Sequence, residues 1–245
     1  MIVITSLDNE KVKKYRKLQK RKYREEYGEY IVEGLHLILE AYKTGALEEI
    51  ILAEGEEIPV PAPYTYFSKE VISKISTMDT PSTVMGLCRK LNRDEIKGNK
   101  ILILDGIQDP GNLGTIIRSA VAFNIDTIVL SEKTVDLYNP KVLRATQGMF
   151  FHVNIVSCLA LEVISMLQNI DIPVYGTSVL NGVDVRTLKS EEKKAFALIV
   201  GNEGSGVRDD ILKLSDKNLY IQMNQNVESL NVAIATSILL YELGR

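Results

Sequence analysis

Six short apolar runs, at residues 101–104, 127–130, 152–156, 173–175, 197–200 and 219–221, constrain this chain more than any other feature. Helical periodicity fills most of the intervals between them. Short apolar strands alternating with helices predict a parallel sheet covered on both faces, whose ligands bind beyond the carboxyl ends of its strands. Three of the runs lead directly into polar loops rich in Gly and Asn. These loops lie in LDGIQDPGNLGTIIRSA (residues 104–120), VGNEGSGV (200–207) and QMNQNVESLNVAIATSILLYE (222–242). The first and third also precede small-residue helical patterns, so the loops are expected to converge on one edge of the sheet.

The region before residue 100 has a different texture. A basic helix is followed by strands expected at 30–32, 49–52, 65–67 and 83–88, with helices at 35–42 and 69–75. A Pro-rich turn carries Pro59, Pro61 and Pro63. That pattern predicts a smaller α/β layer domain. The polar stretch NRDEIKGNK reads as a linker, which divides the 245 residues into domains 1–95 and 96–245.

The net charge of -3 conceals a local excess of the opposite sign. Between Lys11 and Arg24 the chain holds nine basic residues and no acidic one, with Tyr15 and Tyr23 interleaved. Val12, Tyr15 and Leu18 recur at helical spacing, which predicts one helix with a narrow apolar stripe and a broad cationic face. Such a face is either simply solvated or a phosphate-binding surface for RNA, where clustered cations displace counterions and rings stack on bases. Cys88 and Cys158 lie far apart and lack metal-ligand spacing, so they read as buried free thiols and no metal is expected. His36 and His152 read as packing or surface residues. With no basic leader at the amino terminus and no membrane-length apolar run, the expected location is the cytoplasm.

The nucleotide motifs with the widest reach are missing. Gly106, Gly111 and Gly114 are spaced G-x4-G-x2-G, which is neither the dinucleotide fingerprint nor a phosphate loop, so a nicotinamide oxidoreductase is disfavoured. Asp109-Pro110-Gly111-Asn112 reads as a turn in which Asn112 caps the next helix, and Ser229 is a candidate cap for the last one. Arg118 lies among apolar neighbours and is expected to be buried. It would then need a partner or an anionic ligand, because guanidinium stays charged.

The three loops, in this order and spacing, resemble the motifs of the SpoU (TrmH) family of RNA 2'-O-ribose methyltransferases, of the SPOUT class. The match spans residues 101–243. The segment LQKRKYREEYGEYIVEGLHLILEA, with its Glu33-Gly34 pair, is similar to the L30e-like substrate-binding domain of the rRNA-modifying members. This resemblance implies a parallel sheet with a deep carboxyl-terminal trefoil knot, an exception to unknotted topology. It also implies a homodimer, S-adenosylmethionine as cofactor and RNA as substrate, rRNA ahead of tRNA. A non-catalytic RNA-binding scaffold is the competing reading.

By the same resemblance, Arg118, Asn112, Glu203, Ser229 and Asn231 are the catalytic candidates. Thr177, Gly201, Asn202, Ile221, Met223 and Leu230 would hold the cofactor. Lys20, Arg21, Lys22, Arg24 and Arg144 would contact RNA. Because arginine is too basic to act readily as a proton acceptor, Arg118 is expected to stabilise charge. Glu203 could equally cap a loop or pair with Arg118, and Arg144 could form an ordinary ion pair. The chain departs from the family in having Gln222 where Ile-Pro-Met would place proline, and Ala233 in place of serine. Loss of that proline puts the stiffness of the third loop in question.

Overall fold

A computed structural model of the chain describes residues 2–91, 93–179 and 182–244. In chain order its elements are β1 (Val3–Ile4), α1 (Glu10–Lys17), α2 (Arg21–Tyr27), β2 (Glu29–Glu33), α3 (Leu35–Lys43), β3 (Leu47–Ala53), β4 (Tyr64–Phe67), α4 (Lys69–Ile75) and β5 (Val84–Arg89). There follow β6 (Lys100–Asp105), α5 (Pro110–Ala122), β7 (Thr127–Leu130), α6 (Pro140–Ala145), β8 (Asn154–Ser157), α7 (Ala160–Gln168) and β9 (Val174–Thr177). The last are β10 (Val183–Asp184), β11 (Phe196–Gly201), α8 (Asp209–Leu212), β12 (Lys217–Tyr220) and α9 (Val232–Leu243). Among the described residues no helix is long and apolar enough to cross a membrane.

The chain forms two compact units. One contains the described residues of 1–92 together with 136–151, and the other those of 93–135 and 152–245. Residues 136–151, which a linear division at 95/96 assigns to the second domain, pack into the first unit. Their side chains show why. The Tyr138 and Phe150 rings lie 4.6 and 6.1 Å from that of Tyr30, and Asp136 pairs with Arg24 at 2.6 Å.

The first unit is a mixed five-stranded sheet ordered β1-β4-β3-β5-β2, with β5 antiparallel to both β2 and β3. Val12, Tyr15 and Leu18 enter its core beside Ile51, Phe67 and Ile72. The expected single basic helix is two helices, α1 and α2, with Leu18 to Lys20 between them. The break turns Arg24 inward. It is 4 % exposed, donates to the Leu18 carbonyl at 2.7 Å and meets Asp136, so it leaves the cationic face on which the sequence placed it. A buried guanidinium must be paired in this way to offset its lost hydration.

The second unit is a seven-stranded sheet ordered β10-β12-β9-β11-β6-β7-β8, parallel at every pairing. Its central strands are apolar on both faces, as a doubly covered sheet requires: Ile101 to Leu104 and Ala197 to Val200 are almost wholly buried. Helix α5 starts at Pro110 because Asp109, not Asn112, caps it, accepting the Asn112 N–H at 2.8 Å. Proline at the first helical position loses no hydrogen bond there. Helix α9 starts later than its sequence pattern suggests. Its cap is Asn231 rather than Ser229, and Asn231 Oδ1 accepts the N–H groups of Ala233 and Ile234. Each such cap stabilises its helix by about 1 kcal/mol.

Candidate functional site

The carboxyl ends of the neighbouring strands β12, β9 and β11 open onto a cavity of about 370 Å³. That size falls within the range of small-molecule sites, roughly 300–1,000 Å³. Thr177, Gly201, Asn202, Ile221, Met223 and Leu230, the six residues assigned to cofactor binding from sequence, all line it. So do Glu203 and Ser229. Gly201 is dictated by space, since a Cβ there would overlap the backbone of Gly206 and Val207. Among the described residues two carboxylates, Glu203 and Asp209, line the cavity with no lysine or arginine, which suits a ligand carrying positive charge. Sequence reasoning missed Asp209. Its available signal was an acidic pair, Asp209-Asp210, one residue beyond a glycine-rich loop.

A chain of side-chain hydrogen bonds ties the three loops together at the rim. Asn231 Nδ2 donates to Asn112 Oδ1 at 2.9 Å, and Asn112 Nδ2 donates to Glu203 Oε1 at 3.0 Å. The amide orientations follow from the ends of this chain. Asn231 Oδ1 is committed to the α9 backbone, and the Glu203 carboxylate can only accept. The backbone N–H groups of Gln108 and Asp109 also donate to Glu203, at 3.2 and 3.1 Å. Burial pushes the Glu203 pKa up. The donors outweigh burial, however, and hold the carboxyl below its usual range.

The second loop is fixed from below as well. Asn202 Nδ2 donates to the Gly106 carbonyl at 2.9 Å, while Asn202 Oδ1 accepts the N–H groups of Gly204 and Ser205. Gly106 has φ +80°, a left-handed conformation that favours glycine. Arg208 Nε donates to the buried Asp105 carboxylate at 3.1 Å and so anchors the loop to the end of β6.

Arg118 differs from its expected setting. It lies on the exposed side of α5 with Gly111, Thr115 and Ala122, outside the cavity, and has no hydrogen bond or ion pair among the described residues. The apolar neighbours in sequence face the core instead, because Leu113, Ile116, Ile117 and Ala120 fall on the other side of the helix. Glu203 therefore pairs with Asn112, not with Arg118. Ser229 is exposed at the rim.

The candidate RNA contacts divide in the same way. Lys20, Arg21 and Lys22 are exposed, whereas Arg24 is buried. Arg144 is half-buried, donates to Thr77 Oγ1 at 2.9 Å and lies 3.7 Å from the Glu33 carboxylate. Cys88 is buried, and burial pushes its thiol pKa up, but Cys158 is only partly covered. Among the described residues no group of three or more His, Cys, Asp or Glu side chains is arranged to hold a metal.

Residues 99–241, well over half of the chain, match the SpoU rRNA Methylase family. The chain belongs to that family. Residues 9–86 match the MRM3-like substrate binding domain. A Bacillus subtilis relative, 23S rRNA (guanosine(2553)-2'-O)-methyltransferase RlmP, is 37% identical over 245 aligned residues, covering 98% of each protein. The human mitochondrial rRNA methyltransferase 3 is 29% identical over 92% of this chain and 69% of its own length. Among solved structures, an AdoMet-bound rRNA methyltransferase from Sinorhizobium meliloti superposes with a TM-score of 0.87 at 29% identity, covering 99% of this chain and 97% of that one.

For a SpoU-family chain, Gln222 is the departure that matters for the cavity. It sits between Ile221 and Met223, which both line the site, and its Oε1 accepts from Arg186 Nη2. Arg186 is held in turn by Asp184, with Nε 3.0 Å from Oδ1. Side-chain hydrogen bonding thus restrains the loop at the position where the sequence resemblance leads one to expect a proline.

Proposed function

We propose that this chain transfers the methyl group of S-adenosylmethionine to a ribose 2'-hydroxyl of structured RNA, with 23S rRNA as the substrate. The observation that carries this reading is the hydrogen-bonded chain from Asn231 through Asn112 to Glu203, which unites all three family motifs on the rim of one cavity. The cavity fits the cofactor in charge, since Glu203 and Asp209 face a ligand that bears a sulfonium and an ammonium group. It fits in character too, with Leu219, Leu230, Val232 and Leu239 offering apolar wall to an adenine ring.

When bound, the cofactor supplies a methyl group on positively charged sulfur, which departs as a neutral thioether. The residues must position the 2'-oxygen in line and favour loss of its proton. Asn112 and Asn231 hold the rim rigid, and Ser229 orients the incoming hydroxyl. Arg118 stabilises the developing alkoxide or fixes the adjoining phosphate, since its basicity disfavours proton abstraction. Thr177, Gly201, Asn202, Ile221, Met223 and Leu230 hold the cofactor. Lys20, Arg21 and Lys22 contact RNA from the substrate-binding domain, and the methyltransferase domain begins after the linker.

Arg118 lies outside its own chain's cavity on the exposed side of α5, one position before Ser119, which joins α5 to α9 through a 2.7 Å hydrogen bond to Ser237. The same α9 surface exposes Ile234, Ile238 and Tyr241, a stripe at helical spacing. We take this face as a homodimer contact through which Arg118 serves the partner's site. We also take the segment ending in α9 as the threaded part of a trefoil knot, on the strength of family membership, and the cytoplasm as the location. The test is transfer of labelled methyl from S-adenosylmethionine to 23S rRNA, with 2'-O-methyl positions mapped in rRNA from a strain lacking the protein. Calorimetry showing RNA binding without cofactor binding would favour the scaffold reading.

A further inference from the structure

The first unit carries an aromatic feature that methyl transfer does not explain. On α2, the Tyr23 and Tyr27 rings lie nearly parallel, 6.3 Å apart with an interplanar angle of 18°. Tyr27 is 37% exposed and Tyr23 is partly so. Three ammonium groups stand over these rings: Lys17 and Lys22 at 5.4 and 5.7 Å from the Tyr23 centroid, and Lys14 at 5.8 Å from that of Tyr27. Lys14 is satisfied by Glu29. By contrast Arg16, Lys17, Lys20 and Lys22 are exposed and form no ion pair among the described residues. The nearby carboxylates differ in availability, since Glu25 engages Lys90 and Arg21 while Glu26 is exposed.

We propose that Tyr23 and Tyr27, with Lys17, Lys20 and Lys22 around them, form a stacking platform for unpaired nucleotides of RNA. Every base has a π-face, so a tyrosine pair accepts one without reading its sequence, and the surrounding ammonium groups meet the phosphates on either side. In the free protein the lysines rest against the rings, which holds unpaired charge beside the stacking surface. RNA exchanges this cation–π contact for phosphate contact and base stacking. The other tyrosine of the basic segment is unavailable. Tyr15 is buried, with its hydroxyl 2.7 Å from Glu49. An acidic peptide would satisfy the lysines equally well but has no use for partly exposed parallel rings.

The proposal rests on the reading of the chain as an RNA-modifying enzyme, and it adds the kind of RNA element that the first unit grips. The full-length protein is titrated with a single-stranded decamer of adenosine, an abasic RNA decamer and a blunt RNA duplex. Tyr23→Leu/Tyr27→Leu is expected to lose about 5- to 150-fold in affinity for the adenosine decamer and little for the abasic one. Tyr23→Phe/Tyr27→Phe retains both affinities, which separates stacking from folding. Lys17→Ala and Lys22→Ala each reduce the salt slope for single strands by about 0.7. Equal adenosine-decamer affinity of the wild type and the Leu variant overturns the platform while leaving methyl transfer intact. A wild type that binds no RNA of any kind overturns both readings, and preference for an acidic peptide over RNA overturns the platform's assignment.

Discussion

Asn112 and Asn231, 119 positions apart in sequence, are joined by a 2.9 Å hydrogen bond between their side-chain amides. Neither is where it is for its own helix alone. Asn231 caps α9 with its oxygen and spends its nitrogen on Asn112, and Asn112 passes the contact on to Glu203.

Residues in one network lose function together. Asn112→Ala and Glu203→Gln are each expected to lower methyl transfer by ten- to a hundredfold. The double variant should fall short of the product of the two losses, with a coupling of about 1 kcal/mol or more. Single-turnover rates for the four proteins of the cycle give the coupling directly. Strict multiplicativity would mean that the contact does not act in the reaction.

Glu203 also predicts a pH signature. Its pKa is lowered in the folded protein, so its contribution to stability is present above the unfolded value of about 4.3 and is lost as pH falls through the native value. The stability gap between wild type and Glu203→Gln should hold constant from pH 7 to about 5 and shrink below about 4. Urea titrations across that range read it, and a gap insensitive to pH would contradict the assigned hydrogen bonds.

Arg118→Ala should abolish methylation while shifting stability by no more than about 0.5 kcal/mol, because the side chain is exposed and has no partner among the described residues. Cofactor affinity by calorimetry should stay near wild type. Mixing this variant with Gly201→Ala, damaged in the cavity, should restore part of the activity if Arg118 serves a partner's site. Failure of both mixed and separate proteins would return Arg118 to its own chain.

Arg24→Ala should behave oppositely. Removing one member of the buried Arg24–Asp136 pair is expected to cost about 3–5 kcal/mol, measured by denaturant unfolding, while Lys20→Ala stays within about 0.5 kcal/mol. The salt dependence of RNA binding should change for Lys20→Ala.

Arg186→Ala releases Gln222 and should loosen the third loop. The expected result is a two- to fivefold higher KM for S-adenosylmethionine with kcat little changed, the pattern of lost uniform binding. An unaltered KM would show that the loop needs no such restraint.

The sheet and the loops were legible because their signals are local. Apolar runs such as 101–104 and 197–200 announce doubly covered strands, and a Gly/Asn-rich stretch after each announces a turn at its carboxyl end. Cap assignments failed by two or three residues. Asp109 and Asn112 are both good caps, as are Ser229 and Asn231, and composition cannot tell which one the backbone uses. Arg118 was misjudged because apolar neighbours in sequence are not neighbours in space on a helix.

The sequence by itself determined the class of fold, the edge of the sheet at which the cavity opens and the family to which the chain belongs. All three depend on residue type and short-range spacing. Only the tertiary structure decided that Arg24 is a buried strut rather than a phosphate contact, that residues 136–151 pack into the first unit, and that Glu203 meets Asn112, which Asn231 holds in turn, rather than Arg118. Those outcomes turn on desolvation and on contacts between segments about a hundred residues apart, where burial and a partner's position, not local propensity, set the free energy.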